Sequence, residues 1–132
     1  MSTPLFRMVC VPAALDGVSE DFVEVMLRDG ELALLADASG LDGINAVARR
    51  LDVPTVPVVR AEDDDDRQER TVIEHAGSLP LVWLATGFSD AARTWATDRG
   101  PMTLLVEVTG PLPDDEQRRV ERFCAILGRQ SE

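Results

Sequence analysis

The sequence predicts a three-layer α/β/α domain of five strand–helix units, (βα)5, on a parallel five-stranded sheet. Three observations carry that expectation. Five short apolar runs punctuate the 132-residue chain: Phe6 to Val11, Leu32 to Ala36, Thr55 to Val59, Leu81 to Ala85 and Met102 to Val108. Most are apolar throughout rather than alternating, as in strands buried on both faces of a parallel sheet. Between them lie segments of helical periodicity with their own start and stop residues. Strands that alternate with helices imply right-handed crossovers and helices on both faces. At this length residues 1–132 make one domain, large enough for a hydrophobic core.

The elements follow in order. After the first strand, Ser19-Glu20-Asp21 opens a helix on which Val18, Phe22, Val25 and Met26 share a face, and Asp29-Gly30 ends it. After the second strand, Ser39-Gly40 leads into a helix with Leu41, Ile44, Val47, Ala48 and Leu51 at helical spacing, closed by Asp52 and Pro54. After the third comes the acid run Glu62 to Asp66, expected as a loop, then a weaker helix around Val72, Ile73 and Ala76. The fourth strand ends at Thr86-Gly87. Ser89 or Asp90 caps the next helix, which carries Ala92, Trp95 and Ala96 and stops at Gly100. After the fifth strand, Pro111 and Pro113 break the chain and Asp114-Asp115-Glu116 starts the last helix, with Val120, Phe123, Ile126 and Leu127 as its apolar face and Arg129 near its end. Those charges complement the helix dipole at both ends.

Composition narrows the function. Acidic residues number 24 against 13 basic, a net charge of -11. Every basic residue is arginine. Such acidity repels nucleic acid and anionic membranes, so direct binding to either is not expected. It fits solubility, or a face for a basic partner. No apolar run is long enough to span a membrane and no secretory signal is visible, so the expected compartment is the cytoplasm. Cys10 and Cys124 form no CxxC pair and are expected as buried free thiols. The missing lysine excludes a Schiff base and a phosphate-binding loop. With one histidine, His75, the common zinc motifs cannot be written. No GxSxG elbow occurs. No catalytic residue, metal site or cofactor is therefore assigned.

In an open parallel sheet, ligands sit beyond the carboxyl ends of the strands. The candidate binding residues there are Asp37 and Ser39 after the second strand and Arg60 after the third. Thr86, Ser89 and Asp90 follow the fourth strand, and Thr109 the fifth. Glu62 lies close to Arg60 in the chain. Asp37 has the chemistry of a nucleophile or metal ligand, or of a helix cap. Thr86 could meet a phosphoryl oxygen or satisfy local backbone. Asp63 to Asp66 lack the alternating ligand pattern of a calcium loop and fit a solvated loop. His75 falls on a helix, away from the strand ends.

The order and lengths of these elements resemble the receiver domain of bacterial response regulators, a flavodoxin-like fold. The resemblance is best over Leu79 to Leu127, where the strand ending in Thr86, the helix with Ala92 and Ala96, the Gly100 turn and the acidic-start last helix all have counterparts. It implies sheet order 2-1-3-4-5 and a role for Thr86 at a phosphoryl site. Receivers carry an acidic pair where this chain has Val11-Pro12-Ala13, a phosphorylated aspartate where it has Arg60, and a lysine where it has Glu107-Val108-Thr109. The resemblance therefore implies a pseudo-receiver, without the phosphorylation site: a non-catalytic regulatory or protein-interaction module. Its partner would be another protein or a second copy, with Trp95 and Phe123 on the last two helices as contact residues or core. Two alternatives stand beside it. One is a small ligand-binding protein or magnesium-dependent enzyme using Asp37, Thr86 and Asp90. The other is an acidic inhibitor or immunity-type protein that masks a basic surface.

Overall fold

The computed structural model describes residues 4–35, 40–52, 56–59, 62 and 64–130. Four parallel strands form one sheet: β1 (Phe6–Cys10), β2 (Gly30–Leu34), β3 (Leu81–Ala85) and β4 (Thr103–Glu107). Five helices connect or follow them: α1 (Glu20–Asp29), α2 (Gly40–Arg50), α3 (Asp65–Ala76), α4 (Asp90–Arg99) and α5 (Asp114–Gln130). Short 3-10 turns occupy Pro12–Leu15 and Gly100–Met102.

Among the described residues the sheet has four strands rather than the expected five, in the order β2-β1-β3-β4. The run Thr55 to Val59 contributes one parallel bridge, Val58 to Leu34, on the outer side of β2. Leu34 N–H donates to Pro57 O at 2.9 Å and Val59 N–H to Leu34 O at 2.9 Å. Pro57 supplies the physical reason. It has no N–H to extend a ladder, which confines its segment to an edge. The neighbour of β1 is therefore Leu81–Ala85, not the third apolar run as order 2-1-3-4-5 requires.

This placement decides the layering. The chain steps outward from β1 to β2 to residues 56–59, and right-handed crossovers put α1 and α2 on the same face. It then crosses back to β3 and β4, which puts α3 and α4 on the other. Phe6, Met8, Cys10, Val82 and Leu84 point into the first core with Phe22 and Met26 of α1, Ile44 and Val47 of α2, and Val120 and Leu127 of α5. Val9, Leu81 and Trp83 point the opposite way, toward Val72 and Ala76 of α3 and Ala92 of α4. The alternation along each strand is the pleat itself.

The helix ends follow local chemistry. Ser19 caps α1 through Phe22 N–H at 3.1 Å, and Ser89 caps α4 through Ala92 N–H at 3.1 Å. The acid run Glu62 to Asp66 is only partly the expected loop: Glu62 lies outside any helix, but the end of the run enters α3. Asp64 caps α3 by accepting from Arg67 N–H at 2.8 Å, and Asp65 and Asp66 form its first turn. Carboxylates there offset the partial positive charge of the helix start. On α5 the buried face is Gln117, Val120, Cys124 and Leu127, while Ile126, expected on it, is 51% exposed. At 100° per residue, Ile126 lies too far round from Val120 and Cys124 to reach the sheet.

Three arginines bind backbone carbonyls left free at helix ends and turns. Arg7 donates to His75 O and Ala76 O at the end of α3. Arg50 donates to Leu15 O and Val18 O, and Arg99 to Leu79 O. A planar guanidinium can serve two carbonyls at once, which a lysine ammonium does less well.

Gly30 starts β2 directly beneath Phe6, and a Cβ there would overlap the buried Phe6 ring. Gly30→Ala is expected to lower stability by about 1–3 kcal/mol, read as a fall in the thermal or urea midpoint. Gly87→Ala is the control, since a Cβ there meets nothing within 4 Å; it should change stability by less than about 0.5 kcal/mol.

Candidate functional site

The chain departs from β1 in both directions, so the switch point of the sheet lies between β1 and β3. A cleft of about 570 Å³ opens there, above the strand ends and beside the start of α3. Val11, Leu35, Trp83 and Phe88 give it an apolar lining. Trp83 and Phe88 meet edge to face, with ring centroids 5.1 Å apart, a geometry that aromatic quadrupoles favour. The Trp83 indole N–H is buried and has no acceptor among the described residues.

Acidic residues of α3 edge the cleft. Asp65 and Asp66 are exposed in the first turn, and Glu69 is half-buried one turn on. The Glu69 carboxylate accepts from the Ser89 backbone N–H at 2.8 Å and from the Ser89 hydroxyl. That hydroxyl oxygen in turn accepts from Ala92 N–H. Glu69 thus links α3 to the N-terminus of α4, with each carboxylate oxygen accepting one hydrogen bond from Ser89. Glu62, which does not line the cleft, accepts from Thr71 Oγ1 at 2.9 Å, while its N–H donates to Gln68 Oε1 at 3.0 Å.

Across the sheet, the α1/α5 side of the strand ends is filled. Ala14 and Leu15 from the turn after β1 pack with Val108 and Leu112 from beyond β4, all buried. Leu112 N–H donates to Ala14 O at 3.0 Å and ties the two segments together. Gln117 on α5 completes the seal. Its amide donates to Leu112 O at 3.0 Å, and its carbonyl oxygen accepts from Ser19 N–H at 3.4 Å.

The expected site residues are only partly gathered by this geometry. Thr86 and Ser89 line the cleft, Thr86 exposed and Ser89 bound to Glu69. Asp90 is exposed in the first turn of α4, and Thr109 is exposed in the turn after β4; neither lines the cleft. Asp37, Ser39, Arg60 and Asp63 lie outside the described residues. Glu69 and Gln117 were not anticipated. Gln117 had a legible signal, a polar residue one turn before Val120 on the buried side of its helix. Glu69 had none, because its partner Ser89 is 20 residues away.

The remaining reactive groups are placed elsewhere. His75 lies at the opposite end of the sheet, with Nε2 4.0 Å from Glu31 Oε1 and Arg7 binding its backbone carbonyl. Burial, and next the Arg7 charge, lower its pKa from the usual imidazole value, while Glu31 opposes them. Burial pushes the Cys10 thiol up to about 12. Cys124 is pushed up to about 12 by burial, assisted by Asp29 and Glu121. Among the described residues, no group of three or more His, Cys, Asp or Glu side chains could hold a metal ion. No helix among the described residues is long and apolar enough to cross a membrane.

The chain matches no protein-family model, no curated protein and no solved structure.

Glu69→Ala is expected to cost about 1–2 kcal/mol by leaving the Ser89 N–H unpaired, and Ser89→Ala about 1 kcal/mol through loss of the cap. In a double-mutant cycle by urea unfolding the two should be coupled by about 0.5 kcal/mol or more. Additive effects would mean that the Glu69–Ser89 link does not join the helices. For the thiols, an aromatic disulfide reagent at pH 8 should label neither Cys10 nor Cys124 in the folded protein and both in denaturant, because the buried groups remain protonated and shielded.

Proposed function

We propose that this chain is a non-catalytic regulatory or protein-interaction module, a doubly wound α/β domain with the character of a pseudo-receiver that lacks the phosphorylation site. The observation that carries the reading is the apolar plug of Ala14, Leu15, Val108 and Leu112 over one side of the strand ends. The central strand runs into Val11 and Pro12, where a catalytic α/β domain of this type would present carboxylates. On the open side, among the described residues, the half-buried Glu69 is bound to a helix cap and the half-buried Glu62 accepts from Thr71. Thr86 remains exposed at the cleft, the position that receivers use beside a phosphoryl group. Glu107, at the end of β4, pairs with Arg93 across the surface. The outward placement of Val58 separates the third apolar run from β3, so the reading rests on surface recognition rather than on phosphorylation.

The apolar cleft with Trp83 and Phe88 favours a second reading, a binding site for a small ligand. Thermal melting separates the two. With millimolar magnesium, acetyl phosphate or a nucleotide panel, the first reading expects no change in melting temperature beyond about 1 °C. A saturable rise of several degrees would overturn it in favour of the second, since a ligand that binds only the folded state stabilises it by mass action.

A further inference from the structure

We propose that the outer face of α1, α2 and α5 is a two-fold homodimer interface, in which the arginine row of α5 in one copy docks on the acidic groove beside α1 in the other. The inference rests on the interaction-module reading and names its partner as a second copy of this chain.

The first half of the interface is the solvent side of α5. Arg118, Arg122 and Arg129 recur at helical spacing, on the side directly opposite Val120 and Leu127. All three are exposed, and among the described residues none has a hydrogen-bond or ion-pair partner. Arg70 of α3 shares that state among the described residues; what distinguishes α5 is that three such arginines align on one helix face. Arg7, Arg50 and Arg99 bind carbonyls, and Arg28, Arg67, Arg93 and Arg119 pair with carboxylates. Beside this row stands Ile126, 51% exposed. A basic row flanked by a large apolar side chain is an unusual surface on a chain of net charge -11.

The second half is a groove of about 560 Å³ between α1 and the end of α2. Val18, Val23, Leu27 and Leu51 supply its apolar lining, and Leu27 is 38% exposed. Glu20 and Glu24 stand on its rim, both exposed, and Arg50 lines it as well, its guanidinium turned to the Leu15 and Val18 carbonyls. Along α1 the series Glu20, Glu24, Leu27 has nearly the spacing of Arg118, Arg122, Ile126 along α5: charge, charge one turn on, apolar group one turn further.

Symmetry brings the two halves together. The helices α5 and α1 pack on the same face of the sheet, with the groove on the far side of α1 from α5. Each helix runs antiparallel to the parallel strands, so α1 and α5 point the same way. Gln117, the fourth residue of α5, accepts through Oε1 from the N–H of Ser19, the N-cap of α1, so α5 begins about one turn before α1. Arg118 therefore stands level with Glu20, and Arg122 one turn on with Glu24. A two-fold axis in the interface, parallel to these helices, leaves height unchanged and exchanges left for right. It carries α5 of the partner over the groove, with Arg118 and Arg122 opposite Glu20 and Glu24 and Ile126 near Leu27. The contact occurs twice, as an isologous interface demands. Its charges set register and salt dependence, and its apolar residues supply the burial.

The test is a charge swap read by sedimentation velocity or light scattering at low salt. The wild type is expected to dimerise with a dissociation constant that rises with added salt. R118E/R122E and E20R/E24R should each be monomeric, with dissociation constants raised about tenfold or more. Mixed together, the two variants should recover a dimer near wild-type affinity, because both copies of the contact then join opposite charges. Circular dichroism checks that each variant folds; should one not, Ile126→Glu, at an exposed position, tests the same surface and should also be monomeric. A monomeric wild type at about 100 μM in low salt would overturn the proposal, as would variants that dimerise like the wild type or a mixture that stays monomeric. These failures leave the interaction-module reading standing, whereas a ligand-dependent rise in melting temperature removes it whatever the oligomeric state.

Discussion

Strand β1 is hydrogen-bonded along both edges and buried on both faces, and the domain is built outward from that double pairing. Residues 6–10 pair with β2, and Arg7, Met8 and Val9 pair with β3. Because the chain leaves β1 in one direction and returns on the other side, the helices divide into two layers of unlike character. One layer packs α1, α2 and α5 over a large core. The other packs α3 and α4 over a smaller one. The gap left between β1 and β3 at their carboxyl ends is a geometric consequence of that division, and the cleft is found there. What occupies the strand ends is then a matter of side chains: an apolar plug on one side, and an aromatic floor edged by acids on the other.

Charge in this molecule is mostly architectural. Acids gather at helix starts, Glu20 and Asp21 on α1, Asp65 and Asp66 on α3, and Asp114 to Glu116 on α5, where the dipole favours them. Arginines close turns and helix ends by binding carbonyls, and their fork suits this because two acceptors lie within reach of one group. A chain without lysine can therefore satisfy its exposed backbone while keeping a large negative charge. Arg70 of α3 and Arg118, Arg122 and Arg129 of α5 instead face solvent without a partner among the described residues.

Local signals in the sequence survived folding well. Ser19, Ser89 and Gly100 act where the sequence places them, because capping depends on residues within one turn. Four of the five apolar runs are strands. Departures arose where a local rule met a second constraint. The acid run Asp64 to Asp66 has a loop's composition, yet Asp64 is an N-cap and its neighbours a first helical turn. Thr55 to Val59 has a strand's apolarity, yet Pro57 limits it to an edge bridge. Ile126 has core chemistry, but the helix phase set by Val120, Cys124 and Leu127 turns it outward. The candidate site was least legible. Thr86 and Ser89 were reachable from the strand-end rule, whereas Glu69 joined them only because α3 and α4 pack side by side.

The sequence by itself determined the class of the domain: parallel strands, alternating helices, buried thiols, and chemistry without lysine or a histidine cluster. Those properties depend on composition and on periodicity over a few residues, which the chain carries with it. Tertiary structure decided which strand neighbours β1, which faces the helices occupy, what plugs the strand ends, and that Gln117 reaches Ser19. Each of these depends on contacts between residues tens of positions apart, and their geometry is set by the crossovers and by packing, not by any local pattern.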